Sequence, residues 1–156
     1  MKKLKNPFIH VPGYNCFGCS PTNPLGLHLH FLEDGDEIVS AFRPDFNHQG
    51  WLNTLHGGIQ SALLDEICGW VVMRKLQTGG VTSKMETKFL RPVSTNGEEV
   101  QLRAHIVDQK RNFVTIEATL ADSSGKVCTK ALCTYFVFPP EKAKETMLFY
   151  GCEAED

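Results

Sequence analysis

The sequence lacks a strong net charge, a long apolar run and any internal repeat. Its formal net charge is −2, so no overall basic field attracts nucleic acid or a membrane surface. The most apolar segment, around Leu63, is too short and too charged to span a bilayer. The start, 1–7, is basic, but no apolar stretch follows it. We therefore expect no signal peptide and a cytoplasmic location.

The length and composition are those of an ordinary globular protein. The 156 residues include 42% hydrophobic and 22% charged residues, which suits one domain with a substantial core. We expect a single domain over 1–156, with a cysteine-containing N-terminal segment at 1–24 and a polar C-terminal tail at 141–156. The lone Cys152 in that tail is expected to be exposed.

The alternation of apolar and polar residues predicts six strands and one long helix. The predicted strands are 25–31, 38–43, 81–90, 100–106, 114–120 and 127–138, and the helix is 57–75. Clean alternation favours antiparallel strands with one covered face, which can wrap an apolar helix. Because one helix cannot cover six strands completely, we expect a dimer.

The segment 56–66, His-Gly-Gly-Ile-Gln-Ser-Ala-Leu-Leu-Asp-Glu, is the most informative part of the chain. Asp65 and Glu66 are the only charged residues between Ile59 and Val72. A helix that is apolar on nearly every side is a buried helix. Because a buried carboxylate is costly unless it is paired or hydrogen-bonded, at least one of the two has a partner or a chemical use.

The two glycines at the start of this helix have two interpretations. The first amides of a helix have no intrahelical acceptor and lie at the positive end of its dipole. Gly57 and Gly58 carry no side chain that would block a substrate, so the Gly57 amide is a candidate donor to an oxyanion. Alternatively, the glycines only permit a tight turn into the helix.

This arrangement resembles the hotdog-fold thioesterases, most closely their phenylacetate-pathway (PaaI-like) and 4-hydroxybenzoyl-CoA branch. The resemblance runs from Asn15 to about Phe138 and is strongest at 49–51, 55–58, 64–66 and 89–93. It implies an α+β hotdog fold, in which a six-stranded antiparallel sheet wraps one long central helix. It also implies an acyl-CoA thioesterase without a cofactor, assembled as a homodimer or dimer of dimers with active sites at the subunit interface.

The resemblance gives Asp65 the catalytic role, as the general base that activates water or as the nucleophile. Ser61 and Gly69 lie on the same helical face and leave room around its carboxylate. Glu66 points about 100° away, and we expect it to pair structurally with a basic or hydroxyl group. It is the alternative catalytic base if the helix is rotated differently.

Several other residues are candidates for the site. His56 either orients the substrate or is a satisfied turn residue. The candidates for substrate binding are Gly58, Gln49, Thr82, Ser83 and Arg91. Of the two strand hydroxyls, that of Thr82 fits the spacing to Pro92 better, although both can be ordinary strand residues. Arg91, with Lys110 and Arg111, can contact the phosphates of coenzyme A or can be solvated surface charges.

Cys16 and Cys19 form a Cys-x-x-Cys pair that looks like half of a zinc site. A structural zinc ion needs four ligands, and no second close cysteine pair is present. His10, His28 and His30 are the only candidates to complete the set. We therefore expect no metal, and no redox role either, since no strand-helix context surrounds the pair.

Two other functions fit the same fold. A non-catalytic acyl-CoA-binding module would bind without turnover, but the sequence has no output domain such as a helix-turn-helix. An enoyl-CoA hydratase usually needs a histidine and an acid across its site, whereas here the helix carries an acid. Fold alone does not decide between these functions.

Overall fold

The computed structural model describes all residues, 1–156. Its elements in chain order are β1 (Lys2–Lys3), β2 (Phe31–Asp34), β3 (Glu37–Phe42), α1 (Gly57–Val71), β4 (Gly80–Phe89), β5 (Val100–Lys110), β6 (Phe113–Ala121), β7 (Val127–Val137) and α2 (Pro140–Met147). A short 3-10 turn, Phe46–His48, precedes α1, and one π-helical turn, Val72–Leu76, follows it. No helix is both long enough and apolar enough to cross a membrane.

The strands form one antiparallel sheet in the order β1-β2-β3-β5-β6-β7-β4. The sheet has seven strands and not the six that were predicted, because Lys2 and Lys3 add a short edge strand to β2. At the opposite edge, the ten-residue β4 pairs only with β7. One edge of β4 is therefore free.

The sheet wraps α1, which packs against β3, β4, β5, β6 and β7. The residues of α1 that are fully buried are Leu63, Leu64, Ile67, Cys68 and Val71. Alternate residues of the central strands meet them, as in β6, where Val114, Ile116, Ala118 and Leu120 are all buried. The predicted α+β architecture, an antiparallel sheet around one long helix, is confirmed.

The long helix has nearly the predicted extent. It begins at Gly57 and continues through the π-helical turn to Leu76, where Gln77 takes a left-handed conformation with φ 52°. The basic residues of its last turn also bind a carboxylate: Arg74 and Lys75 lie 3.0 and 2.7 Å from Glu33 on β2. This ion pair fastens the end of the helix to the sheet.

The predicted strand 25–31 is wrong in its extent. Leu27 and Leu29 are buried in alternation with exposed neighbours, as expected. Their amides, however, donate to the carbonyls of Phe17 and Gly18 and not to another strand. Ladder pairing therefore begins only at Phe31. The segment 27–29 is not a regular strand, since His28 has a left-handed conformation with φ 52°, and it holds the loop that contains Cys16 and Cys19.

The C-terminal segment packs onto the domain. It forms α2 and then buries Phe149 and Cys152, each 2% exposed. The expectation that Cys152 is exposed is therefore wrong. Leu4 and Ala154 form a β-bridge, so the two ends of the chain lie side by side.

Candidate active site

Asp65 faces two hydroxyl groups contributed by the sheet. Thr82 Oγ1 on β4 and Tyr135 Oη on β7 each donate to Asp65 Oδ1 over 2.7 Å. The Tyr135 hydroxyl also lies 2.7 Å from the backbone carbonyl oxygen of Asp65. The other carboxylate oxygen, Oδ2, makes no hydrogen bond within the chain. One oxygen is thus held in place while the other is free to accept a proton or to attack.

Tyr135 was not identified from the sequence. It is 5% exposed, and burial together with the negative charge of Asp65 raises the pKa of its hydroxyl above the usual range. The hydroxyl therefore stays protonated and acts as a hydrogen-bond donor. A signal was available, since Tyr135 occupies an inward position of the most apolar strand and a buried tyrosine hydroxyl usually needs a partner.

A β-bulge at Ser83 explains why Thr82 and not Ser83 reaches Asp65. In the β4–β7 ladder, Thr82 pairs with Tyr135 and Lys84 pairs with Thr134, so Ser83 has no opposite residue. The pairing puts the Thr82 and Tyr135 hydroxyls side by side under the helix. Ser83 is exposed and lies outside the cavity beside Asp65.

The cavity beside Asp65 has a volume of about 430 Å³. It is lined mainly by apolar groups, among them Val72, Met73 and Val81, with Gly69 at its wall. A Cβ atom on Gly69 would lie 3.6 Å from Tyr135 Oη, an ordinary contact. Close approach is therefore not the reason for this glycine, whose missing side chain leaves cavity space. Ser61 does not line the cavity.

A second cluster lies at the start of α1. His56 is the N-cap residue, and its Nδ1 accepts the Gly58 amide over 2.8 Å. This contact agrees with the interpretation of His56 as a hydrogen-bonded turn residue, and it provides the Gly58 amide with an acceptor. The Gly57 amide makes no hydrogen bond within the chain. Gln49 lines the same surface cleft as His56 and Gly57.

The two clusters are separate within one chain. Gly57 and Asp65 are eight residues apart on one helix, which corresponds to about 12 Å along its axis. Strand β4 touches both clusters: Thr82 near its start contacts Asp65, and Phe89 at its end lies beside Gly57, 3.4 Å from where a Cβ would be. A single chain does not bring the Gly57 amide to the Asp65 carboxylate.

The basic candidates are divided between the same two ends. Lys110 and Arg111 are exposed at the β5–β6 turn. Lys110 pairs with Phe113, Phe113 pairs with Phe136, and Phe136 pairs with Val81, the neighbour of Thr82. The β5–β6 turn therefore lies at the end of the sheet where Thr82 lies. Arg91 is exposed just after β4, at the Phe89 end.

Glu66 has different partners from Asp65. Its Oε1 accepts Trp70 Nε1 over 3.2 Å, and Cys16 Sγ lies 3.6 and 3.7 Å from its two carboxylate oxygens. Burial raises its pKa to about 7. The expectation that Glu66 has a structural partner agrees with these contacts, although the partners are a thiol and an indole and not a basic or hydroxyl group.

Comparisons with known proteins identify the family of this chain. The sequence model of the thioesterase superfamily matches residues 52–129, which include both clusters except Gln49 and Tyr135. Over 116 residues the chain is 29% identical to a Thermoplasma acidophilum protein named as an esterase, covering 73% of this chain and 85% of that protein. Over 94 residues it is 28% identical to mouse acyl-coenzyme A thioesterase 13, covering 59% of this chain and 66% of the mouse protein.

The fold is also shared with solved structures. A hypothetical thioesterase of Streptococcus pneumoniae TIGR4, solved with coenzyme A, superposes with a TM-score of 0.65 at 22% identity. The superposition covers 70% of this chain and 87% of that one. The predicted hotdog fold is confirmed, while nothing in these comparisons distinguishes the PaaI-like branch.

Proposed function

This chain belongs to the thioesterase superfamily of thioester hydrolases, and on that premise we propose that it hydrolyses an acyl-CoA to a free acid and coenzyme A. The observation that carries the proposal is the Asp65 carboxylate, held at Oδ1 by two hydroxyls and free at Oδ2 beside an apolar cavity. The mouse relative, named an acyl-coenzyme A thioesterase, and the coenzyme A in the Streptococcus pneumoniae structure support this substrate class.

The chemistry follows from these groups in one of two forms. As a base, Asp65 Oδ2 takes a proton from water while the resulting hydroxide attacks the thioester carbonyl carbon. As a nucleophile, Oδ2 attacks that carbon and forms an anhydride, which water then hydrolyses. In both forms the C–S bond breaks and the coenzyme A sulfur leaves and takes up a proton.

The developing oxyanion needs a preorganised donor. The Gly57 amide suits this role because it has no acceptor within the chain and lies at the positive end of the α1 dipole. Because the Gly58 amide already donates to the capping residue His56, the Gly57 amide is the available donor at this end of the helix. We assign His56 to the support of this turn, and Gln49 to the wall of the binding cleft.

We propose that a homodimer completes the site. An antiparallel pairing of two β4 strands about a two-fold axis places the start of one strand beside the end of the other. Because Thr82 at the start contacts Asp65 and Phe89 at the end lies beside Gly57, this pairing brings Asp65 of one chain towards the partner's Gly57. The free edge of β4 and the half-exposed Val81, Phe89 and Leu90 favour such an interface.

The remaining assignments belong to the same proposal. We assign Arg91, Lys110 and Arg111 to contacts with the phosphates of coenzyme A around the proposed interface. The chain would act as one catalytic domain, either as a dimer or as a dimer of dimers. All six cysteines are free thiols, which suits the reducing environment of the cytoplasm.

Thiol release from a panel of straight-chain and aryl acyl-CoAs, for the wild type, Asp65→Asn and Asp36→Asn, tests the function. We expect turnover in the wild type and in Asp36→Asn, whose carboxylate lies in an exposed turn, and a collapse in Asp65→Asn. A wild type without turnover, whose melting temperature acyl-CoA raises, would establish the binding module instead. Hydration of an enoyl-CoA without thiol release would establish the hydratase.

A further inference from the structure

The loop that carries Cys16 and Cys19 lies against the side of α1 that Glu66 occupies. The Cys16 and Cys19 sulfurs and a Glu66 carboxylate oxygen all lie within 4.8 Å of one another. Cys16 and Glu66 are 50 residues apart in the chain, so only the fold reveals this cluster. It supplies the third ligand that the Cys-x-x-Cys pair lacks in the sequence.

We propose that Cys16, Cys19 and Glu66 form a binding site for one zinc ion. Two thiolates and one carboxylate are ligands that zinc accepts, and thiolates select it over magnesium and calcium. Its ligands are distinct from the hydroxyls that hold Asp65, although Cys16 and Glu66 line the same cavity as Asp65. Zinc binding at these ligands does not require thioester hydrolysis.

The observed distances fit tetrahedral zinc. Bonds of about 2.3 Å to sulfur and about 2.0–2.2 Å to oxygen, at tetrahedral angles, separate a sulfur from an oxygen by about 3.5 Å. Cys16 Sγ lies 3.6 and 3.7 Å from the two Glu66 oxygens. An ion can therefore enter between them with little movement of either side chain.

The conformation of the loop keeps the Cys16 and Cys19 sulfurs close to the Glu66 carboxylate. Gly18 is buried, and a Cβ on it would lie 2.4 Å from Glu66 Cδ, so only glycine allows this approach. The amides of Leu27 and Leu29 hold the loop in place by donating hydrogen bonds to the carbonyl oxygens of Phe17 and Gly18.

The charge balance also favours a cation. Glu66 is partly buried in an apolar helix, and it forms no salt bridge with a lysine, arginine or histidine. Two thiols therefore face a carboxylate without a positive charge, an arrangement that is costly whenever more than one of the three is ionised. A bound zinc ion removes this cost and releases the protons of the ligands.

Tyr14 supports the site without being a ligand. Its hydroxyl lies 2.9 Å from Cys19 Sγ and accepts Asn6 Nδ2 over 2.9 Å, so its proton is available to the sulfur. Burial raises the pKa of Tyr14 above its usual range, which keeps the hydroxyl protonated. Such a donor orients a ligand and tunes its charge, and it leaves the fourth zinc position for water.

Metal titration of the full-length chain tests the site. Reduced, EDTA-treated protein is expected to bind one zinc ion per chain in competition with a chromophoric chelator. Cobalt in place of zinc is expected to give a near-ultraviolet thiolate charge-transfer band and the visible bands of tetrahedral cobalt. Protein that binds no zinc under these conditions, or cobalt bound without the thiolate band, would overturn the proposal.

Variants assign the ligands. Cys16→Ser combined with Cys19→Ser is expected to abolish zinc binding and the thiolate band. Glu66→Gln is expected to keep the band and to raise the zinc dissociation constant by roughly 10-fold or more. The matched control is Cys128→Ser, which removes another buried thiol beside a carboxylate, 3.8 Å from Asp122, and should leave zinc binding unchanged. Zinc binding that survives in the double variant contradicts the proposal.

A measurement on the wild type does not depend on any variant folding. Zinc is expected to protect two thiols per chain from a thiol reagent, and EDTA is expected to restore their reactivity. A count that shows Cys16 and Cys19 joined as a disulfide in freshly reduced protein would overturn the zinc site in favour of a redox pair.

Discussion

Asp65 and Glu66 are adjacent carboxylates on one helix, yet the fold gives them opposite surroundings. Asp65 meets two hydroxyls of the sheet, which hold one oxygen and leave the other free. Glu66 meets the Trp70 indole and the Cys16 thiol of the N-terminal loop. The 100° step between neighbouring helical residues is therefore enough to give the two carboxylates different partners, although both line the same cavity.

The largest expected difference between them is in catalysis. Asp65→Asn keeps the size of the side chain but removes the basic oxygen, so kcat is expected to fall by about 10²–10⁴-fold. Glu66→Gln is expected to lower kcat by less than about 10-fold, because Glu66 does not contact the reacting atoms. Stopped-flow thiol release with circular dichroism as a folding check measures both. Equal losses in the two variants would refute the division of roles.

A second difference concerns where each carboxylate finds its partners. The partners of Glu66 lie in its own chain, whereas Asp65 is completed by the partner's Gly57 amide in the proposed dimer. Gly57→Pro removes this amide at the first helical position, where proline is tolerated, and should lower kcat by about 10²–10³-fold. Gly57→Ala keeps the amide and adds only a methyl group, so it serves as the matched control.

Mixing the two inactive variants tests the shared site directly. Co-refolded Asp65→Asn and Gly57→Pro chains form half heterodimers, each with one intact site, so about one quarter of wild-type activity should return. A mixture that stays inactive, while size-exclusion chromatography shows that heterodimers exist, would place both groups in one subunit's site.

The hydroxyl groups of Thr82 and Tyr135 are expected to contribute less to kcat than the Asp65 carboxylate or the Gly57 amide. Thr82→Val and Tyr135→Phe each remove one donor to Asp65 Oδ1, and each is expected to reduce kcat by about 10–100-fold, since a hydrogen bond to a charged group contributes about 1.5–3 kcal/mol. The effect should fall on kcat and not on KM. Ser83→Ala, one residue away on the bulge, is the control and should retain full activity.

The two glycines that flank the carboxylates predict opposite stability changes. Gly18→Ala places a methyl group against Glu66 and is expected to lower the free energy of unfolding by about 1–2 kcal/mol. Gly69→Ala meets only an ordinary contact with Tyr135, and it should raise that free energy by up to about 1 kcal/mol, because alanine is the better helix former. Urea denaturation measures both, and changes of the same sign would contradict the comparison.

Glu33, unlike Glu66, is a carboxylate that is paired with cationic side chains. Hydrogen bonds from Arg74 and Lys75 lower its pKa to about 2 from a usual 4.5. Its contribution is therefore complete above pH 4.5 and is lost as the pH falls towards 2. Glu33→Gln is expected to lower the free energy of unfolding at pH 7 by about 1 kcal/mol, with a smaller difference at pH 3. A difference that does not change with pH would exclude the ion pair as its source.

Most of the fold could be predicted from the periodicity of apolar residues along the sequence. The two elements that differ from the prediction have physical causes. The apolar residues of 25–31 alternate as in a strand, and those from Leu27 onward are buried while Leu25 is 82% exposed. Alternation does not reveal which backbone group an amide meets. In this chain Leu27 and Leu29 bond to a loop. The two-residue β1 carries no periodicity, so the seventh strand could not be predicted.

The site was predicted in part. Asp65, Gly57 and Thr82 were identified because local pattern and resemblance mark them, although their catalytic roles remain proposals. Tyr135 was missed because an inward strand tyrosine looks like an ordinary core residue. The Cys16–Glu66 contact joins residues 50 positions apart, and no local pattern reports such a distance.

The unequal edges of the sheet have a consequence for the growth of assemblies. One edge offers the ten residues of β4, while the other offers only Lys2 and Lys3. Head-to-tail addition would join these mismatched edges and propagate as a fibre, whereas joining β4 to β4 uses up both long edges at once. In the proposed dimer, strand addition therefore ends once the two β4 edges have paired, and the unequal edges would protect the sheet from polymerisation.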